Sequence, residues 1–177
     1  MTIAAGVDVG TGAVKVVLGI IEDGKVEWLG RHLERIRNRD PMQLAADGYE
    51  AVLAEAGLDR DDVAYVATTG EGESIDFRTG HFYSMTTHAR GAIHLQPRAH
   101  AVLDVGALHG RAVSIDERGK VLDYKMTSQC ASGSGQFLEN IARYLGVAQE
   151  EIGPLSLQSG EPEQVSSICA VLAETDV

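Results

Sequence analysis

The sequence has little cysteine, proline, aromatic content or positive charge. Two cysteines in 177 residues cannot build a disulfide framework, which excludes a small secreted scaffold held by staples. With no secretory leader and no apolar run approaching roughly 18 residues, the chain reads as cytoplasmic and reduced, with no membrane partner. Lys and Arg number 15 against 26 Asp and Glu, a formal charge of −11, and both halves are acidic. That excludes a binder of nucleic-acid backbones. The local exception is the run Arg31, Arg35, Arg37 and Arg39, read as a solvated edge or a docking point for an acidic partner. Aromatics make up only 5% while glycines number 20, a balance that favours α/β packing with many tight turns. The 44% apolar and 23% charged content is that of a folded globular chain rather than a disordered one. The length suits one domain or one and a fraction, enough to bury a core without staples.

What is present is punctuated clearly. Ile3–Val9 is a short apolar run ending in Asp8-Val9-Gly10-Thr11-Gly12, and Ala13–Ile20 resumes it. After the turn Glu22-Asp23-Gly24-Lys25 a third strand is expected over Lys25–Arg31, giving an antiparallel meander. Asp40 and Pro41 open a helix as N-cap and first residue, apolar residues follow at helical spacing, and Gly57 stops it. A strand is expected over Asp61–Thr68, with Val63–Ala67 as its apolar run, then a Gly-rich loop from Thr69 to Gly72 and a helix over Tyr83–Leu95. At Ala101 the pattern restarts: a strand ending in Asp104-Val105-Gly106, a strand over Arg111–Asp116, a charged Gly turn, and a strand over Val121–Met126. This is an internal repeat of about 95 residues. It sets expected domains of 1–97 and 98–177. A helix is expected after Gly135, closed by Gly146, and another from Ser166 to the end.

Several of these pieces can carry chemistry. In Asp8-Val9-Gly10-Thr11-Gly12-Ala13-Val14-Lys15, glycines let backbone N–H groups approach an anion. Asp8 can hold Mg²⁺ through water, and Lys15 can offset phosphate charge. The competing reading is a plain hairpin with glycine in its turn. A P-loop is excluded, because the Gly-Lys-Ser/Thr ending and the following helix are missing. A dinucleotide fingerprint fails for want of a helix after Gly12. Asp104, Gly106 and Ala107 repeat the device in the second half, and two such strand ends facing across a cleft would clamp a nucleotide's phosphates. His109 follows closely enough to touch phosphate, whereas His88 reads as structural or solvated. Glu71 and Glu73 belong to a surface turn or to the cleft. Cys130 precedes a Gly/Ser loop that opens a helix, and Cys169 begins another. Such placements favour a thiolate, though a lone cysteine on an apolar segment also serves as a small hydrophobe. A four-iron cubane needs four thiolates, so two here require two more from a partner. Zinc and a cysteine hydrolase compete poorly, since no histidine lies at ligand spacing or has an evident pairing with either thiol.

The stretch Gly6–Lys15 resembles the first phosphate motif of the acetate kinase/heat-shock ATPase/actin superfamily. Cys130-Ala131-Ser132-Gly133-Ser134-Gly135-Gln136-Phe137-Leu138-Glu139 and Ser166-Ser167-Ile168-Cys169-Ala170-Val171-Leu172-Ala173-Glu174 resemble the two cysteine motifs of the ATPases that serve 2-hydroxyacyl-CoA dehydratases and benzoyl-CoA reductase. Thr68–Ser74, His81–Ala92 and Asp104–Arg111 are similar to the reductase branch of that family, so the likeness covers the whole chain. It implies a ribonuclease H-like, actin-like α/β fold, with the first half-domain complete and the second only begun. It implies ATP with Mg²⁺, with Asp8 and Asp104 in catalytic roles and Gly10, Thr11, Gly12, Ala13, Lys15, Gly106, Ala107 and His109 around the nucleotide. It also implies one [4Fe-4S] cluster shared by two homologous ATPase subunits, to which Cys130 and Cys169 contribute here. ATP hydrolysis would move the cluster-bearing helices and drive low-potential electron transfer from ferredoxin to subunits that bind benzoyl-CoA and dearomatise its ring.

Three departures from the family pattern qualify these expectations. Ala107 and His109 stand where related activators carry a second Gly and an Asp, and Ser84 stands where they carry Glu. The adenosine-binding Gly-rich segment is not among these residues, so residues 1–177 alone are expected to bind ATP poorly and to be inactive. Within the family the alternative is an activator of a 2-hydroxyacyl-CoA dehydratase, which would pair with itself. Outside it stand a sugar or acetate kinase-like phosphotransferase, which needs no thiols, and a non-catalytic interaction module with both cysteines in its core.

Overall fold

The computed structural model describes residues 1–127, 134–166 and 169–177. The chain divides into two compact units, Met1–Leu95 and Gln96–Val177.

The first unit is built on a five-stranded sheet. Strands β1 (Thr2–Val9), β2 (Ala13–Glu22) and β3 (Lys25–Arg35) form the antiparallel meander. Helix α1 (Pro41–Ala56) follows, then β4 (Tyr65–Gly70), the two-residue β5 (Gly80–His81) and α2 (Ser84–Leu95). The sheet order is β3-β2-β1-β4-β5, with β4 parallel to β1. A parallel return beside the central strand requires a crossover connection, and α1 lies in it.

Alternation along β1 and β2 sorts the two sheet faces. Val7, Val9, Val14, Val16 and Leu18 are buried with Val66 of β4 under Leu44, Ala45, Tyr49, Val52 and Leu53 of α1. Gly6, Asp8, Lys15 and Val17 alternate to the opposite face. Helix α1 is bounded as its sequence demands. The Asp40 side chain accepts from Met42 N at 2.8 Å, Pro41 occupies the first position, and Gly57 ends it in the left-handed region.

The second unit opens with the antiparallel sheet β6 (Ala101–Val105), β7 (Gly110–Ile115) and β8 (Val121–Met126), in that order. Helices α3 (Gly135–Leu145), α4 (Gln149–Ser156) and α5 (Ala170–Asp176) complete the described part.

Four expectations need correcting. β3 runs four residues past Arg31, to Arg35. β4 begins at Tyr65, not Asp61, and takes in Thr69-Gly70, whose composition reads as the start of a loop. Strand β7 is offset by one residue from the expected Arg111–Asp116. Helix α4 has no counterpart among the expected elements. Among the described residues, no helix is long and apolar enough to cross a membrane.

Candidate functional site

The end of β1 carries the first constellation. Register places Asp8 opposite Lys15 across the β1–β2 pair, and Lys15 Nζ lies 2.8 Å from Asp8 Oδ2. The turn between them closes through Gly10 N–H donating to Ala13 O at 3.0 Å, while Gly12 O accepts from Ile36 N–H. On the other side β4 sets Thr69 beside Asp8. Gly70 is needed there: its φ is +66°, and a Cβ would fall 2.2 Å from Val9 O. Only glycine lets β4 close on the strand end, with Glu71 N–H donating to Val9 O at 2.8 Å.

Helix α2 packs its start against this face. Thr69 Oγ1 donates to Phe82 O at 2.7 Å and lies 3.2 Å from Thr87 Oγ1, which donates to Ser84 O. A cavity of about 230 Å³ results, lined among others by Asp8, Lys15, Thr69, Thr87 and His88. Thr69 and Thr87 are cavity residues that sequence reasoning did not single out, and His88, read there as structural or solvated, lines the cavity with them. The usable signal was Thr68-Thr69-Gly70, polar residues where a parallel strand ends, which is where open α/β sheets take ligands. Thr11 is exposed and Ala13 half-buried at the turn. Glu71 is exposed as well.

The second constellation repeats the first. Asp104 stands opposite Arg111 across β6–β7, and Gly106 N–H donates to His109 O at 2.8 Å. Arg111 Nε lies 3.7 Å from Asp104 Oδ2, and Arg111 Nη2 donates to His109 Nε2 at 2.6 Å. Arginine has no acceptor, so the His109 Nε2 must be the unprotonated nitrogen in this contact. His109 is therefore held by the guanidinium rather than by Asp104, whose Oδ2 is 3.8 Å away. Ala107 joins the turn to helix α3: Gly135 N–H donates to Gly106 O and Gln136 N–H to Ala107 O. The first amides of α3 are thus satisfied by the turn of the Asp104 hairpin.

Of the two thiols, Cys130 lies outside the described residues. Cys169 is the half-buried N-cap of α5, and its Sγ accepts from Leu172 N–H at 3.5 Å. A sulfur that receives a backbone N–H and stays partly accessible is the donor type that an iron–sulfur cluster uses. Among the described residues no group of three or more His, Cys, Asp or Glu side chains gathers as a metal site.

A meander continued by a helix and a parallel strand at its centre, with an Asp-Val-Gly hairpin repeated in a second unit, defines the ribonuclease H-like fold of the actin-like ATPases. The fold matches that of the Acidaminococcus fermentans (R)-2-hydroxyglutaryl-CoA dehydratase component A with a TM-score of 0.89 and 27% identity, over 99% of this chain and 66% of that one. It also matches the Clostridium difficile activator of 2-hydroxyisocaproyl-CoA dehydratase with bound ADPNP, with a TM-score of 0.84 and 26% identity over 99% and 64%. The model of the BadF/BadG/BcrA/BcrD ATPase family matches residues 5–177, and the chain belongs to that family. Among curated relatives, a benzoyl-CoA reductase subunit of Thauera aromatica is 71% identical over all 177 residues, which is 63% of that protein. The activator of lactoyl-CoA dehydratase of Anaerotignum propionicum is 31% identical over 97% of this chain and 65% of its own length. The chain thus spans somewhat under two thirds of these relatives.

Proposed function

We propose that this chain is the phosphate-binding and cluster-bearing part of an ATP-hydrolysing subunit of benzoyl-CoA reductase. In this reading, ATP hydrolysis drives electrons from ferredoxin to subunits that dearomatise benzoyl-CoA. The observation that carries this is the 71% identity to the Thauera reductase protein along the whole chain, against 31% for the lactoyl-CoA dehydratase activator. A shared three-dimensional fold does not by itself choose between the two roles.

The residues fit the chemistry. Lys15 neutralises phosphate charge as a point cation, and Gly12, exposed and without a side chain, lets a phosphate approach the backbone of the first hairpin. Asp8, steadied by its bond to Lys15, would hold a magnesium ion through its water ligands. Asp104 plays the matching part in the second unit, steadied by Arg111. Bound by Cys130, Cys169 and two thiolates of a homologous subunit, a [4Fe-4S] cluster supplies one-electron transfer at low potential. Leu172 N–H donates to the Cys169 sulfur, and such hydrogen bonds help set a cluster's potential.

The test is anaerobic co-expression with the homologous ATPase subunit. The purified pair is expected to carry iron and an iron–sulfur chromophore, and Cys169→Ser is expected to reduce both to background. Unchanged iron in that variant refutes the cluster assignment. Native mass spectrometry separates the two roles: a heterodimer supports the reductase, and a self-paired dimer that activates a dehydratase overturns it.

A further inference from the structure

A chain of hydrogen bonds leaves the Asp104 hairpin and reaches the helix that Cys169 opens. Gly106 O and Ala107 O accept from Gly135 N–H at 2.9 Å and Gln136 N–H at 2.8 Å. One turn along α3, Gln136 Nε2 donates to Asn140 Oδ1 at 3.2 Å. Asn140 Nδ2 in turn donates to Glu174 Oε1 at 3.2 Å, across 34 residues of chain. Glu174 lies on α5, whose N-cap is Cys169. Gln136, Asn140 and Glu174 are all half-buried, so water competes only partly for these bonds.

The middle position demands a particular side chain. It must accept from Gln136 with one atom and donate to Glu174 with another. An amide has both an acceptor oxygen and donor hydrogens; an aspartate could not donate, and a leucine could do neither. The spacing is equally particular, since residues 136 and 140 face the same side of a helix.

We infer that Asn140 is a positioning residue that links α5 and its cysteine to the Gly106–Ala107 turn, so that a displacement of the turn is passed on to Cys169. The meaning of that displacement, a change of nucleotide state felt at a cluster, rests on the proposed function. The mechanical link does not, and it can be measured without nucleotide or iron.

Coupling along a chain of contacts has to be shown by perturbing one end and reading the other. Gly106 offers the perturbation, because a Cβ there would sit 3.0 Å from Cε1 and Nε2 of the His109 ring and 3.3 Å from the His109 carbonyl that closes the turn, so Gly106→Ala crowds the turn at its closing bond. The readout is hydrogen exchange over residues 170–176 in the intact chain. Asn140→Ala alone is expected to speed exchange there about three- to tenfold, the loss of one partly shielded hydrogen bond. Gly106→Ala is expected to speed it as well. In the Asn140→Ala background that response should vanish, while Glu174→Gln, which keeps an acceptor oxygen, should preserve it. An equal response in both backgrounds, or none in either, overturns the inference. If Gly106→Ala strips protection from the whole second unit, the Asn140→Ala and Glu174→Ala cycle decides on the same segment. Non-additive rates then support the link and additive rates refute it. A cluster-free purified complex alongside a positive exchange result would sink the proposed function and leave the link standing.

Discussion

The two Asp-Val-Gly hairpins agree in detail and differ in setting. In each, the carboxylate faces a cation seven residues later across the first antiparallel pair, Asp8 to Lys15 and Asp104 to Arg111. In each, the glycine two residues after the aspartate donates to the carbonyl three further on. The repeat therefore extends beyond strand order to individual bonds. The hydrophobic residues flanking the carboxylate do not agree. Val7 and Val9 are 2% and 0% exposed beneath α1, while their counterparts Leu103 and Val105 are 76% and 52% exposed. Both turns close through the same register and the same backbone hydrogen bond in spite of that difference.

The sharpest way to break this comparison is to delete methyl groups at matched positions. Val7→Ala removes two buried methyls and leaves a void, and is expected to destabilise the first unit by about 2 kcal/mol. Leu103→Ala should cost less than about 0.5 kcal/mol, as an exposed substitution does. The chain's single tryptophan, Trp28, lies in β3 of the first unit, so its fluorescence in a urea titration reads the first effect directly. Comparable costs at both positions would mean that the second sheet buries this face too.

A smaller effect separates the cations. Lys15 makes one contact with Asp8, whereas Arg111 reaches Asp104 and His109 together through two nitrogens. A lysine offers one nitrogen in place of the planar fork's two, so Arg111→Lys is expected to weaken Mg–ATP binding to the assembled enzyme about tenfold. Lys15→Arg should cost less than about threefold, since it keeps a donor for Asp8. Fluorescence titration of nucleotide measures both. The reverse order would show that Arg111 acts as a simple point charge.

Much of the first unit was legible because its signals are local. The meander follows from short apolar runs and Gly turns, and α1 from Asp40-Pro41 at one end and Gly57 at the other. The end of β3 was not, because His32-Leu33-Glu34-Arg35 reads as a polar segment. It is an edge strand, paired residue by residue with β2 and tolerant of charge on its open faces. Thr69-Gly70 reads as the start of a loop, yet parallel pairing with β1 carries the strand on to Gly70. Helix α4 was hidden by Gly153 and Pro154, which look like breakers; its first turn is instead held by Glu151, whose carboxylate accepts from Ala148 N–H. At the site, Asp8, Lys15 and Asp104 stood out by motif. Thr87 did not, because its place in the cavity that Asp8 also lines depends on how α2 packs against the sheet, and no local pattern encodes that. Asn140 was equally silent, since half of its partnership lies 34 residues away.

The smallest effect concerns acid stability, and it too divides the units. In the second, Asp116 Oδ1 accepts from Lys120 N–H and Arg118 N–H at 2.8 and 2.9 Å, and these bonds, the Lys120 one foremost, hold its carboxyl below the ordinary value of 3.8. In the first, Glu34 is held below its ordinary value chiefly by the Arg39 guanidinium and then by His32. Both are depressed carboxylates, so each contributes stability above its unfolded-state value and loses it as pH falls through the lowered folded value. The parent is therefore expected to lose more stability than Asp116→Asn or Glu34→Gln as pH drops below about 4. Salt separates the two. Exposed side-chain ion pairs are screened by ions, whereas backbone donors fixed in a turn hardly respond. The parent-minus-variant difference in urea midpoint should shrink with added salt for Glu34→Gln and persist for Asp116→Asn. If both shrink alike, the flanking charges of Lys120 and Arg118, rather than their backbone amides, hold the Asp116 carboxylate in place.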